Sequence, residues 1–216
     1  MDVFQRYVFP YIHSNMYLRI EQDEALIVDP QSSVEAMQRL VESGVERLLI
    51  LLTHEHFDHV SGVNFFREKV LNTTVVAHVC CAERIKTAKN NRPLALLLMA
   101  EGEKRDAVMR LYETIRVETI RVDIPIYEET SISWRAHTIR MVPCPGHSPG
   151  SMVICFDQTH VFSGDYLIPD TDVILRYPGG SARDYAAFTK PFLLTLPNGV
   201  QILPGHKEPY CWDKGD

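Results

Sequence analysis

An apolar run, Leu48 to Leu52, stops at Thr53 and is followed by His54, His56, Asp58 and His59. Neutral imidazole and carboxylate together suit zinc, iron or manganese, so the stretch reads as a metal-binding segment. Its spacing excludes a helix as the platform. On a helix, His54 and His56 would point to nearly opposite sides, whereas zinc-binding helices set their histidines four apart on one face. In extended chain, i and i+2 share a side. A strand ending at Thr53 and curling into a loop can therefore aim all four side chains at one small volume. That arrangement suits two metals better than one.

Three later segments repeat the design, each a short apolar run delivering one polar residue at its end: His147, Asp165 and His206. The two histidines follow the same Pro-Gly pair, Pro145-Gly146 and Pro204-Gly205. Glycine permits the tight turn and proline fixes the approach, so each imidazole is presented on a rigid elbow. Taken alone, His147 reads as a structural histidine. In company with the first cluster it reads as a ligand.

The elements that must position these residues follow from periodicity. Tyr17 to Ile20 and Ala25 to Val28, split by the polar run Glu21 to Glu24, predict an early hairpin that ends at Asp29-Pro30 and forms a sheet edge. Ser32 or Ser33 caps a helix to about Ser43, with Val34, Met37, Leu40 and Val41 on one face and Gly44 as its stop. Val45 to Leu52 has almost no polar alternation, as expected of a strand covered on both faces. Val60 to Val70 reads as helix and Thr74 to His78 as strand, a rhythm typical of α/β chains. From Cys80 to about Glu118 a long helical stretch, interrupted near Asn90 to Pro93, breaks that rhythm. Its apolar cluster of Leu94, Leu97, Leu98 and Met99 suits a lid or an interface, and Glu101, Glu103 and Asp106 argue against anionic lipid. From Thr119 the chain turns to a second sheet, with strands at Ile120 to Val122, Ile132 to Trp134, Thr138 to Pro143, Met152 to Phe156 and His160 to Ser163. A last helix follows Ser181, which has capping-box spacing to Asp184, and Val200 to Leu203 is the last strand.

Composition sets the class. With 216 residues and 45% hydrophobic content the chain can form one domain with a sizeable core, and none of its apolar runs approaches the length needed to cross a bilayer. A net charge of -6, with Lys and Arg scattered, gives no footprint for nucleic acid. Five cysteines without regular spacing read as reduced, mostly buried thiols, with Cys144 kept open because it lies close to His147. The N-terminus lacks a basic segment followed by a long apolar one, so a cytoplasmic location is expected.

The order His54-x-His56-x-Asp58-His59, His147, Asp165, His206 resembles the metallo-β-lactamase fold superfamily. The likeness runs from the Asn15 to Asp29 hairpin to His206. It implies an α/β fold, a four-layer αβ/βα sandwich with the helical insertion at about 80–118, and metals in a cleft at one edge. It also implies one metal on His54, His56 and His147, a second on Asp58, His59 and His206, and Asp165 bridging them. Asp29 would sit behind the loop and orient ligands. Two divalent ions, Zn2+ first with Fe or Mn as alternatives, would lower the pKa of a shared water and polarise the carbonyl it attacks. Asp58 or Asp165 would hold the proton, and Tyr166, Arg176 and Tyr177 would contact substrate or oxyanion.

The superfamily hosts several chemistries, so fold alone does not set the substrate. Tyr177 to Ser181 resembles small glyoxalase II-like members, which hydrolyse thioesters. The short tail after His206 makes glutathione recognition of the glyoxalase II kind doubtful. The expectation is a dinuclear metal hydrolase of a small thioester, ester or lactone. The alternatives are a persulfide dioxygenase with a single iron on two histidines and an aspartate, or a metal-containing regulatory or binding protein. A small-molecule substrate is expected, with no nucleic-acid or membrane partner, and a homo-oligomer could form through the helical insertion.

Overall fold

The computed structural model describes residues 4–10, 12–87, 106, 109 and 118–213. Two six-stranded sheets face one another. The first runs β1 (Gln5–Val8), β2 (Asn15–Glu21), β3 (Glu24–Val28), β4 (Arg47–Leu51), β5 (Asn72–His78) and β6 (Ile124–Ile126), antiparallel as far as β3 and parallel beyond it. Its connections carry α1 (Val34–Glu42), α2 (Phe57–Val60), α3 (Val63–Arg67) and α4 (Val79–Ile85). The second sheet contains β7 (Thr130–Trp134), β8 (His137–Pro143), β9 (Met152–Phe156), β10 (His160–Gly164), β11 (Gln201–Pro204) and β12 (Tyr210–Cys211). Only its β10–β11 pair is parallel, joined by a helical segment. That segment opens as α5 (Ala182–Asp184), widens into a π-helical stretch (Tyr185–Thr189) and closes as α6 (Lys190–Leu193).

Strand alternation assigns the layers. Leu26 and Val28 of β3 meet Leu51, Met141, Ile154, Phe156 and Phe162 in a core between the sheets, while Ala25 and Ile27 on the other face pack with Leu40 and Phe66 under the helices. Val153, Cys155, Val161 and Ile202 form a third core with Leu193 and Leu196. The result is the expected four-layer order of helices, sheet, sheet and helices. Because β3 and β4 are covered on both faces, their apolar runs need no polar alternation. Polar clamps also join the layers: Arg19 of β2 lies 5.0 Å from the ring centroid of Phe156, and His137 of β8 sits between the carboxylates of Glu21 and Asp157.

Several expectations are corrected. The hairpin is not the sheet edge, because β1 pairs outside β2. Ile120 to Val122 is not a strand; the strand is β6, slightly later, and it extends the first sheet by pairing with β5. Thus the second sheet begins at β7. The helix expected over Val60 to Val70 is two short helices, since Gly62 N donates to Pro30 O at 2.9 Å rather than one turn back, and a Cβ at this close approach would stand 2.4 Å from the Gln31 carbonyl carbon. Ser33 caps α1 by accepting from Ala36 N, yet Val34 and Val41 are exposed, and Ala36 joins Met37 and Leu40 on the buried face. Strands β1 and β12 had no clear apolar pattern to announce them. Of the stretch from Cys80 to Glu118, the first part forms α4, and Glu118 accepts from Asn64 Nδ2 at 2.8 Å. Leu94, Leu97, Leu98, Met99, Glu101 and Glu103 lie outside the described residues.

All the candidate ligands leave strands at one edge of the sandwich, shortly after β4, β8, β10 and β11. Met152 N donates to Thr53 O at 2.8 Å, tying the second sheet to the start of the ligand loop. The fully buried Phe66 anchors the short helix that follows that loop. Phe66→Ala should cost about 3–5 kcal/mol in urea unfolding with an unchanged slope, while Val34→Ala, at an exposed site, should stay within about 0.5 kcal/mol.

Candidate metal centre

His54, His56, Asp58 and His59 occupy the turn from β4 into α2, as an extended segment followed by one helical turn. His56 Nδ1 lies 3.0 Å from His54 Nε2 and 2.9 Å from His147 Nε2, so three imidazoles converge on one point. A second group forms beside it. Asp58 Oδ2 is 3.1 Å from His59 Nε2 and 3.5 Å from His206 Nε2. Asp165 stands between the two groups. Its Oδ2 is 3.2 Å from His147 Nε2 and 3.9 Å from His54 Nε2, while its Oδ1 is 3.3 Å from His59 Nε2 and 3.5 Å from His206 Nε2.

The far side of each ring explains these orientations. His147 Nδ1 donates to Ile174 O at 2.9 Å and His206 Nδ1 to Ile12 O at 3.2 Å. His59 Nδ1 donates to Asp29 Oδ2 at 2.9 Å. Asp29 also accepts from Thr53 N at 2.7 Å and from Thr53 Oγ1 at 2.6 Å, and Thr53 Oγ1 lies 3.0 Å from His54 Nδ1. With Nδ1 engaged in this way, Nε2 of each ring is directed into the site. Asp29 therefore supports His59 directly and His54 through Thr53.

The two Pro-Gly elbows are built for close approach. A Cβ at Gly205 would stand 2.6 Å from Asp165 Oδ1 and 2.9 Å from His59 Cε1, so only glycine fits. Gly146 has φ +147, and a Cβ there would meet Tyr185 Cβ at 2.7 Å. The π-helical stretch presents Tyr185 at that point, and Thr189 Oγ1 donates to Pro145 O at 2.6 Å. Beneath the same elbow, the buried Tyr166 hydroxyl accepts from His147 N at 2.9 Å and donates to Cys144 O at 2.7 Å. Tyr166 thus shapes the elbow from below and does not face the cleft. Burial pushes the Cys144 thiol up to about 12. Arg176 is exposed, whereas Tyr177 lines the cleft with its ring 5.6 Å from His56 and 5.9 Å from His147.

Sequence reasoning missed a second support. Glu55 is buried; it accepts from Ser148 Oγ at 2.7 Å, and Arg84 Nε of α4 approaches its other oxygen at 3.1 Å. Arg84 also donates to Pro178 O, so one ion pair braces both the His147 turn and the loop bearing Tyr177. The available signal was alternation: Glu55, between two ligands on extended chain, must point away from them.

Burial drives His54 well below the usual imidazole range and His56 down to about 4. For His59, burial opposes charge, but Asp58 and Asp165 outweigh it and hold the ring protonated well above its ordinary range. Burial likewise opposes the charge on Asp58, yet His59 and His206 bring it to about 2. Asp165 is held well below the carboxylate range by His206, His59 and His147. Among the described residues, His59 Nε2 and Asp165 Oδ1 are buried with no aligned hydrogen-bond partner, although they face each other at 3.3 Å. Two unpartnered groups amid convergent imidazoles and carboxylates are the donor set of a divalent first-row metal, and the residues fit one.

Residues 10–206 match the Metallo-beta-lactamase superfamily. The chain belongs to that superfamily. It is 30% identical to a probable metallo-hydrolase, YqgX, of Bacillus subtilis, over 90% of this chain and 85% of that protein. It is 26% identical to a hydroxyacylglutathione hydrolase of Anaeromyxobacter dehalogenans and 27% identical to the acyl-coenzyme A thioesterase MBLAC2 of Gallus gallus, over 88% and 76% of this chain. It spans 60% and 58% of those two proteins. Among solved structures, the B3 metallo-beta-lactamase BLEG-1 superposes with a TM-score of 0.75 at 24% identity, covering 97% of this chain and 94% of that one. TTHA1623 in a di-iron-bound form gives 0.67 at 26% identity, covering 96% and 94%. The chain is thus a metallo-hydrolase-family protein with the fold its ligand order implied. Among the described residues, none of the helices is long and apolar enough to cross a membrane.

Asp29→Asn should lower metal affinity about 10- to 100-fold in a competition titration, because the His59 ring loses its anionic acceptor. Metal uptake must also displace the proton that His59 carries at neutral pH in the metal-free protein. Affinity should therefore rise between pH 6 and 8, with net proton release visible when calorimetry is repeated in buffers of different ionisation enthalpy.

Proposed function

We propose that this protein is a dinuclear metal-dependent hydrolase of a small thioester, with esters or lactones as secondary substrates. The observation that carries the reading is Asp165, whose two oxygens face two separate groups of ligands, His54, His56 and His147 on one side and Asp58, His59 and His206 on the other. Zinc is the first expectation. The di-iron form of TTHA1623 supports iron as a second occupant of the same donors.

When bound, the ions supply Lewis acidity and make water a usable nucleophile near neutral pH. The chain does the rest. Asp58 and Asp165 stay ionised at neutral pH, so Asp58, at the cleft floor, can accept a hydrogen bond from the attacking water and orient it. Asp165 fixes the spacing of the two ligand groups. Tyr177 forms the wall beside His56 and His147 and contacts substrate there. In the reaction, the water oxygen bonds to the acyl carbon, the carbon–sulfur bond breaks, and the sulfur leaves as a thiol with a proton from that water. The remaining product is a carboxylic acid.

The likeness to a hydroxyacylglutathione hydrolase and an acyl-coenzyme A thioesterase favours thioesters over the other bonds this fold cleaves. A mononuclear iron site would leave Asp58, His59 and His206 converging for no purpose. Elemental analysis of protein expressed with defined metals should give two ions per chain, and the loaded protein should hydrolyse acyl thioesters. Asp165→Asn should remove most of one ion and lower kcat by about 100-fold. One iron per chain, with dioxygen consumed and sulfite formed from a persulfide, would overturn the hydrolase reading.

A further inference from the structure

We infer that the cavity above the metal ligands is an acyl pocket, which makes this protein selective for thioesters of uncharged, apolar acyl groups of several carbons. The inference rests on the thioesterase reading and adds the part of the substrate that the chain recognises. The cavity has a volume of about 540 Å³. His56, Asp58, Asp165 and His206 form its floor, and Val8, Ile12, Ile168 and Ile174 contribute apolar walls. Three isoleucines stand half-buried around a charged floor and belong to none of the three cores beneath, which leaves their side chains free to meet a ligand.

Two features fix which part of the substrate belongs there. The cations at the rim are already engaged: Arg6 pairs with Glu208 and donates to Lys207 O, and Lys207 Nζ donates to Pro169 O. Arg6 is neutralised by Glu208 and the walls above the floor are aliphatic, so the walls themselves favour an uncharged group. Moreover, Ile12 and Ile174 are the residues whose carbonyl oxygens receive His206 Nδ1 and His147 Nδ1. Their backbones hold ligands while their side chains line the cavity, which places the walls directly against the reacting carbon. The acyl chain attached to that carbon is the part of the substrate that meets them, and the thiol portion leaves past the polar rim.

The test uses metal-loaded full-length protein and N-acetylcysteamine thioesters with acyl groups from acetyl to octanoyl. A parallel series keeps the acyl group as acetyl and lengthens the thiol. The acyl series should raise kcat/KM by about fourfold per added methylene until the pocket is full, and the thiol series should be flat. Ile168→Ala and, separately, Ile12→Ala should each lower the octanoyl to acetyl ratio by about tenfold. Calorimetry supplies a readout independent of turnover: octanoate should bind the loaded protein more tightly than acetate, and the Ile168 variant should lose most of that difference. A flat acyl series, or a gain on the thiol arm instead, overturns the pocket while leaving the hydrolase intact. Hydrolysis of no thioester, ester or lactone overturns the hydrolase, and equal binding of octanoate and acetate then overturns the pocket as well.

Discussion

Everything in this structure depends on holding seven buried or half-buried polar side chains against one another. Two carboxylates and five imidazoles converge within a few ångströms, and burial penalises every charged form among them. Without cations the cluster compensates internally. Asp58 and Asp165 remain ionised because His59 between them is held protonated, while burial keeps His54 and His56 neutral. This balance is incomplete, as the unpartnered Asp165 Oδ1 and His59 Nε2 show. Divalent ions would satisfy both atoms and replace the proton on His59.

Such a cluster needs a scaffold that cannot relax away from it. His54, His56, His147, Asp165 and His206 follow strand ends within a few residues, Asp58 and His59 sit on the helical turn just beyond, and the strands are locked by three separate cores. The remaining freedom is ring rotation, and hydrogen bonds on the far side of four imidazoles remove it. Their acceptors differ in kind. Asp29 and Thr53 lie just past strands β3 and β4 of the first sheet and serve His59 and His54, whereas Ile12 and Ile174 are loop carbonyls serving His206 and His147. An anionic acceptor raises the basicity of its imidazole more than a carbonyl does, so His59 is the strongest donor of the set.

That these candidate ligands converge was legible in the sequence because a strand end reads as an apolar run, and a polar residue just after one has few structural duties. The same logic placed β3, β4, β8, β9, β10 and β11 close to their true bounds. It failed where position depends on distant contacts. β1 and β12 are edge strands whose pairing is set by β2 and β11, and β6 joins the first sheet only because its chain passes beside β5. Tyr166 was assigned to the cleft from its place after Asp165, but the left-handed turn at Leu167 and the Ser163 hydroxyl bond to Tyr166 O turn it under the His147 elbow. Nothing local to Tyr166 signals that turn. Glu55 shows the converse case, a residue whose neighbours in sequence are ligands and whose partners in space are Ser148 and Arg84.

The division between floor and walls follows from the same geometry. Four of the candidate ligands have their rings fixed from the far side, and two of these, His147 and His206, also sit on Pro-Gly elbows. The carbonyls that support His147 and His206 are backbone atoms, so they make no demand on the side chains of Ile174 and Ile12. Those side chains can therefore change in size and polarity while the ligands keep their orientation. Where the acceptor is a main-chain carbonyl, as for His147 and His206, the side chain beside it can vary without disturbing the imidazole, whereas His59 and His54 depend on the side chains of Asp29 and Thr53.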